Sequence, residues 1–532
     1  MGVYRRPRPR HRTTGGAGPA RADAAKRDSA RRSGNPRRAA YDVLAAVESR
    51  EAYANLLLPK LLADRDITGR DAALATELAY GTLRGQGTYD AVLAACSDRP
   101  LDKLDPPVRL VLRLGAHQLL GTRIGAHAAV ATSVDLIKSV AGHGPAGYVN
   151  AVLRRVATRD ADGWLEIVAP DSAADHDGQL AIRYSHPRWI VAAYRDALDG
   201  ASPLAAGGSE DLPSPSPRGQ NRRVPQSEDR ARPWARGEED ELEAALAAGN
   251  ARPRVTMATF PGGPPRDVVM PPGAEPGRWS PYAFTLDSGN PADLIDSGQA
   301  AAQDEASQLA AIALTRAPLA TEAAGAAGHE ELWLDLCAGP GGKTRLLYGL
   351  AGLAGNGTRR AHLIAAELHP HRAALVADTL ARASRSRAGQ QVVVADGTRP
   401  PWPAGVFDRV LVDAPCSGLG ALRRRPEARW RKGASDIPAL AELQRALLRS
   451  ALAAVRPGGV VAYVTCSPVP AETRDVVNAV VSADPGVEVL DAPAVLADVP
   501  DVRSPSPLFA QLWPHRHGTD AIFIALLRRG TQ

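Results

Sequence analysis

From about residue 300 to 529, short apolar runs alternate with helical stretches, and this constrains the fold more than any other feature of the chain. Strand candidates fall at 332–337, 362–368, 391–396, 406–413, 459–465 and 521–527, with helical runs such as 343–353 and 436–455 between them. A helix between two strands returns the chain to run parallel, so the pattern predicts a doubly wound, parallel α/β sheet of Rossmann-like type. The helix at 436–455 has Ser435 or Asp436 as its cap and Pro438 in its first turn, and Arg456-Pro457-Gly458-Gly459 is expected to end it. In such a sheet the carboxyl ends of the strands line one crevice, where ligands bind.

The remainder of the 532 residues is built differently, so the chain is multidomain. Over 36–160, Tyr41, Leu44, Ala45 and Val47, then Leu110, Leu114 and Leu120, recur at helical spacing, and Pro106-Pro107 marks a helix start. This predicts an all-α domain. Residues 161–300 read as a linker and a small α+β region, with a helix at 239–248 and a strand-like Arg254-Val255-Thr256-Met257. A low-complexity insertion at 203–237, with six prolines and four glycines, interrupts that region. Residues 301–532 form the last domain.

Residues 1–35 lack periodicity and are expected to be a disordered basic tail, either simply solvated or a nucleic-acid tether. Residues 1–38 carry a local +10, so with the chain at +6 the rest stands at −4 and is not globally basic. No apolar run reaches the roughly 18 residues of a membrane span, and the Arg-rich start has no apolar segment of a secretory kind. The four cysteines, Cys96, Cys337, Cys416 and Cys466, fit neither a disulfide framework nor a paired zinc site. A reduced, cytoplasmic protein without metal is expected.

Asp335-Leu336-Cys337-Ala338-Gly339-Pro340-Gly341-Gly342-Lys343-Thr344 follows an apolar strand and opens a helix. Its glycines let a ligand approach the backbone closely. A phosphate-binding P-loop would need glycine at 337, where Cys337 stands, and Pro340 removes an amide donor. Glu367 ends the second strand, where an acid can take two ribose hydroxyls. Asp396 ends the third, where a carboxylate can accept from an adenine amine. A glycine loop and two such acids on successive strands describe a site for S-adenosylmethionine.

Val412-Asp413-Ala414-Pro415-Cys416 runs off the fourth strand and Val464-Thr465-Cys466-Ser467 off the fifth. Both thiols should therefore stand over the edge that carries the cofactor loop. A lone cysteine is usually a small buried hydrophobe. That reading suits Cys96 and, less well, Cys337, but two strand-end thiols beside Asp413 point to chemistry.

These motifs, Asp335–Thr344, Asp413-Ala414-Pro415-Cys416 and Thr465-Cys466-Ser467, resemble those of the RNA cytosine-C5 methyltransferase family. Thr76–Arg84 and Tyr148–Arg154 resemble the NusB-like helical RNA-binding domain, and together the two halves are similar to the bacterial 16S rRNA type, called Sun or RsmB. Asp436-Ile437-Pro438, Leu443-Gln444 and the ending Pro514-His515 with Gly518-Thr519-Asp520 fit as well. Gly339 where the family typically has Ala, the 203–237 insertion, and a loose match at Pro470-Ala471-Glu472-Thr473 depart from it. The resemblance implies S-adenosylmethionine as cofactor, held by residues 337–343 (Cys337, Ala338, Gly339, Pro340, Gly341, Gly342 and Lys343) with Glu367, Asp396 and Asp413. It implies Cys466 as nucleophile on cytosine C6, Cys416 assisting breakdown of the adduct, Asp413 bonding the base at N3/N4, and Lys343 orienting the base or holding the cofactor. It also implies an RNA partner, 16S rRNA before tRNA, a monomer, and an RNA-contacting role for 161–300. Arg423-Arg424-Arg425, Arg429, Arg431 and Lys432 are expected to contact phosphate, and Gln303–Gln308 to pack near the cofactor. A catalytically dead antitermination-type RNA-binding factor and a P-loop NTPase are the rival classes; intact thiols and the glycine loop argue against them.

Overall fold

The computed structural model describes residues 34–50, 52–200, 235–286, 291–320, 330–353, 361–383 and 390–531. The expected basic tail as far as residue 33, and the expected insertion as far as residue 234, lie outside these. The chain divides into two compact units, Met1–Glu166 and Ile167–Gln532.

The first unit is helical. Pro36–Arg50, Gly69–Arg84, Gln86–Cys96, Pro106–Leu120, Ala126–Ala141 and Ala146–Val156 enclose Leu44, Leu78, Leu93, Leu112, Leu114, Val149 and Leu153, all buried. Each such side chain contributes roughly 1.5–3 kcal/mol of hydrophobic stabilisation. Asn35 caps the first helix, its side-chain oxygen accepting from Arg37 N at 2.9 Å and Arg38 N at 3.3 Å. Gly81 sits where a Cβ would stand 2.1 Å from His117 Nε2, so only glycine lets the helix pass that ring.

In the second unit, helices His176–Arg183, Arg188–Asp199 and Ala235–Asn250 bury Leu180, Ile190, Tyr194 and Leu246 against Leu419 and Trp513. A small antiparallel sheet follows, with β1 (Val255–Ala258), β2 (Glu275–Pro276), β3 (Ala283–Leu286) and β4 (Ala301–Ala302) in the order β2-β3-β1-β4.

The main sheet holds β5 (Glu331–Asp335), β6 (Ala361–Glu367), β7 (Gln390–Val394), β8 (Phe407–Asp413), β9 (Val455–Thr465), β10 (Val487–Leu490) and β12 (Phe523–Arg529), in the order β10-β12-β9-β8-β5-β6-β7, with β11 (Ala510–Gln511) paired to β12. Strands β5 to β9 pair in parallel. The helices that flank it are α1 (Glu305–Arg316), α2 (Gly342–Leu353), α3 (Pro370–Ala383), α4 (Ile437–Ala454) and α5 (Arg474–Ala483). Alternate residues of β8 serve opposite cores: Val410 and Val412 pack with Leu448 and Tyr463, whereas Leu411 packs with Trp333 and Leu347.

Two sequence expectations are corrected. The sheet is mixed, because β12 runs antiparallel to both β9 and β10. Between β10 and β12 the only helices are the one-turn Ala492–Val495 and Pro514–His517, so no long crossover helix turns the chain back to parallel. The Arg456–Gly459 segment does not end the preceding helix. That helix stops at Ala454 and the chain enters β9 directly at Val455, with the glycines lying within the strand beside a shift in the β8–β9 register.

Candidate active site

The loop after β5 is drawn tight by its own side chains. Thr344 Oγ1 donates to Asp335 Oδ2 at 2.7 Å and reaches Ala338 O at 3.3 Å. Asp335 is fully buried, and burial pushes its carboxyl up to about 7 despite the Thr344 bond. Gly341 adopts φ +110° with Val376 and Thr379 close by, a conformation and a clearance that demand glycine. Burial and the surrounding carboxylates push the Cys337 thiol up, which makes it an unreactive thiol.

Glu367, at the end of β6, folds onto this loop. Its Oε2 accepts from Gly339 N at 3.0 Å and its Oε1 from His369 N at 3.1 Å. Arg372 Nη2 donates to Gly339 O at 2.6 Å, with its Nε 3.7 Å from Glu367 Oε2. A Cβ on residue 339 would stand 2.3 Å from Glu367 Oε2, so a side chain here would make the carboxylate shift. Asp396 is exposed, and its Oδ1 accepts from Thr398 N at 2.9 Å and Thr398 Oγ1 at 2.7 Å. Those two bonds hold its carboxyl below the usual range. In its hydrogen bonds it closes a local turn, not a contact with the loop.

The chemistry-bearing residues meet at the ends of β8 and β9. Lys343 Nζ lies 2.7 Å from Asp413 Oδ2. Burial works against the ammonium, but Asp413 outweighs it and holds Lys343 above its ordinary range. Cys416 Sγ and Cys466 Sγ are 3.2 Å apart. The Cys416 thiol is pushed well up by its bond to Cys466, by burial and by the Glu472 charge. The Cys466 thiol is lowered by the Cys416 bond and by the charges of Lys343 and Arg425, against burial and Asp413. The arrangement thus sets two touching thiols of opposite shift, Cys466 lowered and Cys416 raised, beside a lysine–aspartate pair.

The basic segment after Cys416 requires correction. Arg423 donates to Asp520 Oδ1 at 3.0 Å and Gly518 O at 3.0 Å, while Arg424 donates to Asp304 Oδ2 at 2.6 Å and Asp520 Oδ1 at 3.1 Å. Arg429 is fully buried, bonded to Ser185 O at 2.9 Å and Asn250 Oδ1 at 2.7 Å. These three guanidiniums are internal clamps. Arg425 and Lys432 are exposed and Arg431 is half-buried. In the 303–308 segment, Glu305 Oε1 accepts from Ser280 N at 2.7 Å and Gln308 Oε1 from Ser280 Oγ at 2.7 Å, so both hold a turn. The Gln303 carboxamide is buried beside Gly342, its two polar atoms unpartnered within the described residues.

Sequence reasoning named Gln444, Ser467 and Glu472 only as parts of motifs, and assigned no role to them or to Ser417, although all four surround the thiols. Gln444 Nε2 donates to Pro415 O at 2.8 Å, and Glu472 accepts from both serines. The signal available was the position of each serine immediately after a cysteine.

A mixed α/β sheet with a glycine loop closed by a strand-end glutamate, and with paired thiols at neighbouring strand ends, defines a methyltransferase-type domain. Residues 325–528 match the family model described as 16S rRNA methyltransferase RsmB/F, and residues 34–158 match the NusB family. A Mycobacterium tuberculosis protein described as a methyltransferase is 45% identical over 93% of this chain and 96% of its own. The ribosomal RNA small subunit methyltransferase B of Pseudomonas putida is 31% identical over 93% of this chain and 98% of its own. The solved structure of the protein PH0851 is similar in fold, with a TM-score of 0.69 at 21% identity over 94% of this chain and 99% of that one. The chain belongs to the RsmB/F family of 16S rRNA methyltransferases. Its cofactor is S-adenosylmethionine. Among the described residues no helix is long and apolar enough to cross a membrane.

Proposed function

We propose that this protein methylates C5 of a cytosine in 16S rRNA through a covalent bond between Cys466 and C6 of the base. The observation that carries this reading is the pair of thiols 3.2 Å apart at the ends of adjacent strands, beside Lys343 and Asp413. Cytosine C5 is a weak nucleophile. Attack of the Cys466 thiolate on C6 breaks the C5–C6 double bond and makes C5 enamine-like, able to take an electrophilic methyl group. Bound S-adenosylmethionine supplies that methyl. The C5–H bond then breaks, its proton passes to a base at the site, and the electron pair expels the Cys466 sulfur from C6. Cys416 assists this last step. The second oxygen of Asp413 is left to bond the base at N3/N4, and Lys343 holds that carboxylate in place.

The cofactor residues fit an adenosine group. Glu367 holds the loop amide of Gly339 and keeps acceptor capacity for ribose hydroxyls. Leu368 and Val394 are exposed beside Glu367 and Asp396, and give an apolar wall suited to an adenine. The base must leave any stack to reach the thiols, so a single-stranded or flipped cytosine is the substrate form. The helical first unit, residues 161–300, Arg425 and Lys432 are assigned to RNA contact, and the protein to a cytoplasmic monomer. The family and the named relatives support rRNA over tRNA. The test is incubation of the full chain and S-adenosylmethionine with 16S rRNA transcripts carrying cytosine or 5-fluorocytosine. Fluorine cannot leave as a proton does, so the fluorinated RNA is expected to stay bound to the protein through denaturing electrophoresis. Methyl transfer without a trapped complex would overturn the covalent route.

A further inference from the structure

Glu472 is fully buried and bonded to both cysteine-bearing loops. One carboxylate oxygen accepts from Ser417 N at 2.8 Å and Gln444 Nε2 at 3.1 Å. The other accepts from Ser417 Oγ at 2.5 Å and Ser467 Oγ at 2.7 Å. Ser417 follows Cys416 directly and Ser467 follows Cys466 directly, so one side chain ties the two loops together. Gln444, from α4, also holds Pro415 O at 2.8 Å, and Tyr463 Oη donates to the Glu472 carbonyl at 2.8 Å. Among the described residues, the hydrogen-bond donors to this carboxylate are all neutral. A neutral amide could tie two serines at far lower desolvation cost than a buried negative charge. The charge therefore calls for a reason beyond the tie.

We propose that Glu472 is a positioning residue for the thiol chemistry, holding the two cysteine loops at their separation and setting its carboxylate on the Cys416 side of the pair, so that Cys466 alone attacks the base. The proposal rests on the covalent reading given above. The groups that face the two thiols divide by sign. Cys466 faces Lys343 and Arg425 as well as Asp413, whereas Cys416 faces Glu472 and, across the bond between them, Cys466. The buried Tyr463 phenol lies near Cys416 and Glu472, and burial pushes it up so that it stays neutral. A negative charge on the Cys416 side and two positive charges on the Cys466 side split two otherwise similar thiols. Without that split, both would compete for C6.

The experiment is site-resolved alkylation of the full-length protein with iodoacetamide, read by peptide mass spectrometry from about pH 6 to 10, across the range in which free thiols ionise. In the wild type, Cys466 is expected to react about tenfold faster than Cys416 at neutral pH, because the thiolate is the form that alkylates. Glu472→Gln is expected to raise the Cys416 rate by roughly threefold or more and to move its midpoint to lower pH. Glu472→Asp keeps the charge but shortens the tie. It is expected to leave Cys416 unreactive while slowing formation of the 5-fluorocytosine adduct. Ser467→Ala, which removes one tie and keeps the charge, is expected to do the same and covers the case in which Glu472→Gln does not fold. An unchanged Cys416 rate in Glu472→Gln, or a Cys416 rate in Glu472→Asp equal to that in Glu472→Gln, overturns the electrostatic role. Wild-type adduct rates in both Glu472→Asp and Ser467→Ala overturn the positioning role. Alkylation needs neither RNA nor cofactor. A wild type that traps no RNA therefore counts against the covalent reading, while the alkylation rates judge Glu472 separately.

Discussion

Lys343 Nζ stands 2.7 Å from Asp413 Oδ2, joining the first turn of α2 to the last residue of β8. The pair places an ammonium where it faces Cys466 and lowers that thiol, while the carboxylate acts in the opposite sense. Lys343→Met removes the lowering charge. Adduct formation should then be slower at neutral pH, with its pH midpoint displaced upward and the rate partly restored in alkaline buffer. Arg425→Ala should displace the midpoint in the same direction. The pH dependence of 5-fluorocytosine trapping measures both, and an unmoved midpoint in Lys343→Met would show that the lysine does not act on the thiol.

The neighbouring arginines Arg424 and Arg425 should separate cleanly by experiment. Arg424 is held between Asp520, which is buried, and Asp304, whose side chain is 7% exposed. Arg424→Ala leaves two carboxylates to share Arg423, and is expected to cost about 3–5 kcal/mol of folding stability. Arg425 is exposed, so Arg425→Ala should change stability by no more than ~0.5 kcal/mol. If it contacts phosphate, the same change lowers the log–log salt slope of RNA binding by ~0.7. Urea unfolding and filter binding over a salt series check the two halves.

The contrast between these arginines shows where the sequence is legible. Six strands, the glycine loop and both thiols follow from local pattern, because the period of an apolar run and the residue at a strand end are local facts. The partners of Arg423 and Arg424 lie about a hundred residues away in sequence, at Asp304 and Asp520, so a run of basic residues reads as a surface patch until the fold closes it. Glu472 is hidden for the same reason. Its partners Ser417 and Gln444 come from the β8 loop and α4, and a lone glutamate in a turn carries no signal of burial. The direction of β12 depends on the missing crossover helix, and short apolar strands look alike in either direction.

Asp335 makes a pH-dependent contribution to stability. Its carboxyl is raised to about 7 from an ordinary value of 3.8, chiefly by burial. A carboxyl raised on folding binds its proton more tightly in the folded chain. The associated stability is therefore fully present in acid and is lost as pH rises from about 4 through about 7. Asp335→Asn removes that titration and keeps an acceptor for Thr344. The difference in unfolding free energy between variant and wild type should grow in favour of the variant from pH 5 to pH 8, by an amount on the order of a few kcal/mol. Urea unfolding at the two pH values checks this. A difference independent of pH would mean that Asp335 does not titrate in that window.

The two thiols carry the sharpest expectation, because their positions are alike and their surroundings are not. Both follow strand ends, and they touch at 3.2 Å. By position alone they would be interchangeable. Lys343 and Arg425 favour the thiolate on Cys466, whereas Glu472 opposes it on Cys416. Cys466→Ala should therefore form no adduct and no product. Cys416→Ala should still attack C6 and accept the methyl, but release the RNA poorly. It should accumulate a protein–RNA complex, on unmodified RNA, that survives denaturing electrophoresis. The rate of complex formation should rise with pH through the ionisation of Cys466. The reverse outcome, with adduct accumulating in Cys466→Ala and lost in Cys416→Ala, would make Cys416 the nucleophile, and the charges around the pair would have to act against the bond they surround. If neither variant changes methylation, both thiols are structural and the covalent route is wrong.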